Sequence, residues 1–127
     1  MMLDAIHHVA IIGSDYERSK QFYSVVLNLP IIREVWRADR QSWKCDLQLG
    51  SAQLELFSFP SSPPRPSRPE AAGLRHLALS VRALEPVIEH LNRFQVVVEP
   101  IRVDEHTGRR FTFFTDPDGL PLELYEA

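Results

Sequence analysis

The sequence predicts an α+β fold made of two tandem β-α-β-β-β modules, and three observations lead there. The chain has 127 residues, enough for one compact domain with a real core and too few for two ordinary ones. It repeats weakly on itself: "HHVAIIGSDYERSKQFYSVVL" from His7 resembles "RHLALSVRALEPVIEHLNRF" from Arg75, and "QLELF" at Gln53 resembles "PLELY" at Pro121. The repeat also keeps a constant offset. His8 and His76 are 68 residues apart, as are Glu55 and Glu123, so each half places a histidine and a glutamate 47 positions apart.

The elements follow in order. Alternating apolar residues from about Ala5 to Ile12 give a strand. Ser14 or Asp15 then caps a helix running to about Leu27, with Phe22, Tyr23, Val26 and Leu27 as its buried stripe. Strands near Ile31 to Arg37, Ser42 to Leu49 and Ala52 to Phe59 complete the half, with Gly50-Ser51 as the turn between the last two. The second half opens with a strand near Arg75 to Val81. Its helix runs from about Ala83 to Phe94, tolerating Pro86 in the first turn and turning Leu84, Val87, Ile88 and Leu91 inward. Strands near Val96 to Val103, Arg110 to Thr115 and Pro121 to Tyr125 close it, the last two joined by a "DPDG" turn. These boundaries give module 1 at about 1–59, a connecting loop at about 60–73 and module 2 at about 74–127. In the loop, "PSSPPRPSRPEAAG", the prolines forbid regular structure, and two readings stand side by side: a passive linker, or a functional loop carrying Arg65 and Arg68.

Strand parity sorts these residues by face. His8 points with Ile6, Ala10 and Ile12, and His76 with Leu74, Ala78 and Ser80. Leu54 and Leu56, like Leu122 and Leu124, back onto the apolar layer that the helices cover, while Glu55 and Glu123 face away from it. Both histidines and both glutamates therefore lie on the face opposite the helices. If a pseudo-twofold axis relates the halves, the four converge in one cleft. His7 has only Arg75 as a repeat partner and lies on the helix side by parity, so it reads as a boundary residue or at most a donor to a ligand.

Composition excludes several function classes. No apolar run approaches the roughly 20 residues that span a bilayer, and the N-terminus shows no basic-then-apolar signal pattern; no membrane partner and a cytoplasmic location are expected. A net charge of -3 and a pI near 5.9 argue against nucleic acid as a partner. The single cysteine, Cys45, rules out an internal disulfide and a cysteine-based zinc site, and its strand context reads as packing.

Two neutral imidazoles and two carboxylates suit one borderline divalent ion, whether zinc, nickel, manganese, cobalt or iron(II), and leave one or two coordination positions for substrate. Without a cation, two glutamates in one cleft repel each other and lose hydration.

These motifs, "HHVAIIGSD" with "FYSVVLNLP", then "LELF", "LRHLALSV" and "FTDPDGLPLELYE", resemble the vicinal oxygen chelate superfamily of glyoxalases, bleomycin-resistance proteins and extradiol dioxygenases. The resemblance covers essentially the whole chain and comes nearest to a bacterial subgroup of small glyoxalase I-like proteins. It implies paired βαβββ modules whose sheets curve around a metal-containing cleft, with His8, Glu55, His76 and Glu123 at the metal positions. Dioxygenases and fosfomycin-resistance transferases of this superfamily use two histidines and one glutamate. The four-ligand set is closer to glyoxalase I, so the resemblance implies a metal-dependent lyase or isomerase of the lactoylglutathione lyase type. Its open sheet edges and apolar surface lead to the expectation of a homodimer.

The expected chemistry is proton transfer next to a carbonyl through an enediolate, on a small, anionic, oxygenated substrate. Glu123 is the expected general base and Glu55 its near-equivalent. Substrate contacts are expected from Arg110, Arg37, Phe57 and Tyr125. Arg109, Arg65, Arg68, Trp36 and Trp43 are further candidates, and Arg110 is preferred over Arg109 as the cleft residue. Two alternative readings are a non-catalytic binding or resistance protein, and an iron(II) extradiol-type dioxygenase in which one glutamate is a bystander.

Overall fold

Backbone hydrogen bonding turns the sequence repeat into two four-stranded sheets. The structure, a computed structural model, describes residues Met1–Ala127 and divides into two compact units, Met1–Pro64 and Arg65–Ala127. The first contains strand β1 (His8–Ile12), helix α1 (Tyr16–Gln21), a π-helical turn (Phe22–Val26) and strands β2 (Ile31–Arg37), β3 (Ser42–Leu49) and β4 (Ala52–Phe57). The second contains β5 (Leu77–Val81), α2 (Leu84–Arg93), β6 (Arg102–Val103), β7 (Arg110–Thr115) and β8 (Pro121–Glu126). Their strand orders are the same, β1-β4-β3-β2 and β5-β8-β7-β6. In each sheet the first and last strands of the unit pair in parallel at one side, and the remaining ladders are antiparallel.

The pleat separates two chemistries. In unit 1, Cys45, Leu47, Leu54 and Leu56 are completely or almost completely buried on the helix side, with Tyr23 of the π turn also inaccessible. In unit 2, Leu122, Leu124, Thr112 and Phe114 play this part with Leu84 and Leu91 of α2. Removing the buried part of any one of these leucines by Leu→Ala costs about 2–5 kcal/mol, so the apolar layer fixes which way every strand faces.

Several elements differ from expectation for identifiable reasons. The first helix does not stay α-helical to Leu27. Asp15 caps it, its carboxylate accepting from the Arg18 amide at 3.2 Å. Beyond Gln21 the Ser24 hydroxyl donates to the Lys20 carbonyl at 2.6 Å, and the ladder widens to the i→i+5 bond of Leu27 to Phe22. The strand expected over Val96 to Val103 shrinks to Arg102–Val103, since Pro100 interrupts the ladder. Glu99 nevertheless donates its amide to the Phe113 carbonyl at 2.9 Å and accepts from the Thr112 hydroxyl at 2.6 Å. The "DPDG" turn is built by the buried Asp116, whose carboxylate accepts from the amides of Asp118 and Leu120, with Gly119 at φ +83° closing the loop.

Arg110 corrects an expectation. It shares its face with Thr112 and Phe114, the helix side, and does not belong to the open face that carries Glu123. Its guanidinium grips Glu85 at the start of α2 through two bonds of 2.7 and 2.8 Å, and Glu126 at the end of β8 at 2.8 and 2.9 Å. Glu126 in turn accepts from the Leu84 amide at 2.9 Å, capping a helix whose N-cap residue, Ala83, has no side chain able to do so. Arg110 is thus a clamp between helix and sheet. Trp36 and Trp43 are likewise on the helix side: Trp43 stacks on Tyr16 at 5.3 Å, and Trp36 leans on Trp43 at 5.2 Å.

Two stability predictions follow from these contacts. A Cβ added at Gly13 would sit 2.9 Å from the Ser19 Cβ and closer still to its hydroxyl, which is buried without a partner. Gly13→Ala is therefore expected to destabilise by about 1–3 kcal/mol in urea unfolding. Ser19→Ala alone should be nearly neutral, and adding it to Gly13→Ala should recover only part of the loss. For the clamp, the Arg110 guanidinium holds Glu85 down to about 2 and also lowers Glu126. Stability from carboxylates depressed in this way is complete above their ordinary value near 4.5 and disappears as pH falls toward 2. The gap in melting temperature between wild type and Arg110→Ala should accordingly close over that interval, and should narrow in high salt.

Candidate metal and substrate site

The parallel strand pairs bring each expected histidine to its glutamate. In unit 1, Val9 pairs with Leu54 and Ala10 with Glu55, which sets His8 diagonally beside Glu55 on the open face. The His8 Nδ1 lies 3.6 Å from Glu55 Oε2. In unit 2, Ala78 pairs with Glu123, and the His76 Nε2 lies 3.0 Å from Glu123 Oε1. Both glutamates are about one-eighth exposed, at 13% and 12% of their side chains, so each is sheltered without being sealed from solvent. Two ligands each about 2.1 Å from one ion and roughly 90–110° apart lie about 3.0–3.4 Å from each other. The 3.0 Å between His76 and Glu123 falls at the short end of that range and their imidazole and carboxylate suit a divalent ion, so this pair fits half of a metal site; the 3.6 Å between His8 Nδ1 and Glu55 lies outside it. Neither unit gathers three such side chains by itself.

His7 contacts His8 directly. Their Nδ1 atoms are 2.9 Å apart with the rings edge to face, so one ring donates and the other accepts. When the His8 Nδ1–H donates to His7, the His8 ring is oriented and its Nε2 keeps the lone pair that a metal needs.

The pairs have different surroundings. Glu55 faces Asp46 across the ladder and has the Lys44 ammonium 3.8 Å from Oε1. Asp46 is almost fully buried on this face. Burial alone would raise its carboxyl, but hydrogen bonds from Lys44 at 2.8 Å and Arg33 at 2.9 Å hold it below the usual range. Beyond them the Arg37 guanidinium lies over the Phe57 ring at 4.8 Å and bonds the Ser42 hydroxyl. Arg37 and Phe57 thus share the open face with Glu55. Glu123 instead faces Phe113, whose ring meets His76 edge to face at 5.1 Å. Phe111 stacks on Tyr125, and the Tyr125 hydroxyl donates to Asp104 at 3.0 Å.

A cleft of about 610 Å³ opens on this second face. Its floor includes Phe111, Phe113, His76 and Glu123, and one wall is the loop from Arg65 to Arg75. That loop is tied down. Arg65 donates to the carbonyls of Leu74 and Arg75 at 2.8 and 3.0 Å and to the Ser67 hydroxyl at 2.9 Å. Arg75 pairs with Glu70 at 2.8 Å. Opposite, Arg102 lies over Phe111 and Phe113 at 5.0 and 5.4 Å and bonds Glu99 at 3.2 Å. Arg102, the first residue of β6, had no sequence signal beyond its place in an expected strand. Arg109, exposed just before β7, makes no side-chain contact to the cleft residues.

Comparison with known proteins places this geometry in a family. The model of the glyoxalase/bleomycin resistance protein/dioxygenase superfamily matches residues 5–124. The chain is 57% identical over 127 residues to the uncharacterized protein YwkD of Bacillus subtilis (strain 168), covering 99% of each. It is 57% identical over 125 residues to the uncharacterized protein YaeR of Escherichia coli (strain K12), covering 98% of this chain and 97% of YaeR. The crystal structure of a glyoxalase family protein from Enterococcus faecalis superposes with a TM-score of 0.93 at 51% identity, covering 99% of this chain and all of that one. A whole-chain match to the family model, a repeated strand order and close relatives of the same length agree: the chain belongs to the glyoxalase/bleomycin resistance protein/dioxygenase superfamily.

Proposed function

We propose that this protein is a divalent-metal-dependent enzyme of glyoxalase I type, moving a proton next to a carbonyl on a small oxygenated anion. The observation that carries the reading is the recurrence of a His–Glu pair at the start of the parallel strand pair in both units, His8 opening β1 and His76 just preceding β5. A three-ligand site would need only one of the two glutamates, yet both stand on the open face and are mostly sheltered from solvent. Under this proposal His8, Glu55, His76 and Glu123 hold one ion, the pairs meeting within one chain or between two chains of a homodimer. When bound, the ion supplies Lewis-acid polarisation of the substrate oxygens and makes the adjacent C–H more acidic.

The chain's own groups do the rest. Glu123 takes the proton from the carbon beside the carbonyl and returns it to the neighbouring carbon, a role suited to a carboxylate on two flexible methylenes. The difference in surroundings supports choosing Glu123 over Glu55. Lys44 and the Asp46 network restrain Glu55, whereas Glu123 stands against Phe113 with only His76 as its ion partner. The phenylalanine floor limits water around the reacting carbon.

Metal analysis of protein purified without chelators tests the ligand set. His8→Ala is expected to lose stoichiometric metal and His7→Ala to keep it; equal behaviour of the two variants would overturn the assignment. For the reaction, metal-loaded protein is expected to turn over the hemithioacetal of methylglyoxal and glutathione. Glu123→Gln should lower kcat by roughly 10²–10⁴ with metal still bound. Metal binding without turnover of this compound would remove that substrate and leave the metal site standing, while oxygen uptake with iron and a catechol would favour the dioxygenase reading instead.

A further inference from the structure

The loop that walls the second cleft brings an unmatched positive charge to it. Four arginines line the cleft: Arg65, Arg68, Arg75 and Arg102. Three are committed. Arg65 is spent on two carbonyls and a hydroxyl, Arg75 on Glu70, and Arg102 on Glu99 and two phenyl rings. Arg68 alone has neither an ion pair nor a hydrogen bond from its side chain. The cleft's three carboxylates are likewise taken, since Glu70 and Glu99 neutralise Arg75 and Arg102, and Glu123 is engaged by His76.

We infer that Arg68 is the specificity-determining residue of this cleft, binding a terminal anionic group of a substrate whose vicinal oxygens face His76 and Glu123. The inference rests on the proposed metal-dependent function for the oxygen end of the ligand, and on the loop alone for the anionic end. Arg68 lines the cleft from an exposed position on the loop that Arg65 fastens to the two residues immediately before His76. A planar donor fork with no partner in the protein fits a carboxylate or a phosphate through paired, charge-assisted hydrogen bonds. Phe111 and Phe113 line the same cleft, with the Arg102 guanidinium over their rings. The ligand class is therefore an α-oxygenated acid with a second, terminal anion.

Four α-hydroxy acids that share the chelating end serve as probes. Malate and 3-phosphoglycerate carry a terminal anion, and lactate and glycerate do not. With metal-supplemented protein, calorimetric titration is expected to show malate or 3-phosphoglycerate binding roughly 10- to 100-fold tighter than lactate and glycerate, the worth of one charge-assisted pair. Whichever of the two is preferred identifies a carboxylate or a phosphate as the terminal group. Arg68→Ala should abolish that preference, keep lactate affinity and metal content unchanged, and Arg68→Lys should restore part of it. A wild-type protein that binds neither charged probe better than lactate, or an Arg68→Ala variant that keeps the preference, would overturn the inference. Metal content, read on the same samples, separates this outcome from failure of the metal site itself: metal-free protein that still shows an Arg68-dependent preference would sink the proposed function and the oxygen end of the inference, and leave Arg68 as the site of the terminal anion.

Discussion

The structure depends on the pleat of the parallel strand pair at the side of each sheet. Successive side chains of a strand point to opposite faces, so once Leu54 and Leu56, or Leu122 and Leu124, are drawn into the apolar layer, Glu55 and Glu123 must emerge on the other side. A slip of one residue would bury a carboxylate among leucines and cost more than the fold has in reserve. The same ladder fixes His8 on the diagonal to Glu55, and it holds Glu123 where His76, the residue just before β5, meets it. Burial of four leucines thus does the aiming for four polar side chains.

On that shared frame the two units carry unlike chemistry. The first surrounds its pair with compensated charge: Asp46 buried beneath Lys44 and Arg33, and Arg37 laid over Phe57. The second surrounds its pair with phenylalanines and a wall of loop. A charged neighbourhood restrains a carboxylate through several partners at once, whereas an aromatic one limits its hydration and leaves it a single partner. The scaffold therefore repeats geometry without repeating electrostatics, and the proposed division of labour between Glu55 and Glu123 rests on that contrast.

Much of this was legible in the residues, because the strongest signals were periodic. The constant spacing of His8 with Glu55 and His76 with Glu123 carried both the two-module reading and the open face. Arg110 was misread for a physical reason. In "RFTFF" both alternating sets contain a phenylalanine, so apolar pattern alone could not say which face of β7 is buried. Counting outward from the "DPDG" turn would have decided it, since the five residues Asp116–Leu120 between Thr115 and Pro121 set Phe113 opposite Glu123. The π-helical turn was out of reach, since the apolar stripe Phe22, Tyr23, Val26 and Leu27 reads as an ordinary α-helix; the Ser24 hydroxyl bonds back to the Lys20 carbonyl beside it. So was the capping of α2 by Glu126, a partner 42 positions away.

One consequence concerns how such a molecule changes over time. The His–Glu pairs are carried by hydrogen-bonded strands, while the wall of the second cleft is a proline-rich loop fastened mainly by Arg65. Insertions, deletions and substitutions in that loop leave the strand register untouched, because no ladder runs through it. Selection can therefore rewrite the recognition of one end of a ligand while the residues that meet the other end stay where the pleat puts them. In this architecture the most readily edited stretch of sequence and the least editable one border the same cavity, a separation that lets a duplicated fold acquire new ligands without losing its foundation.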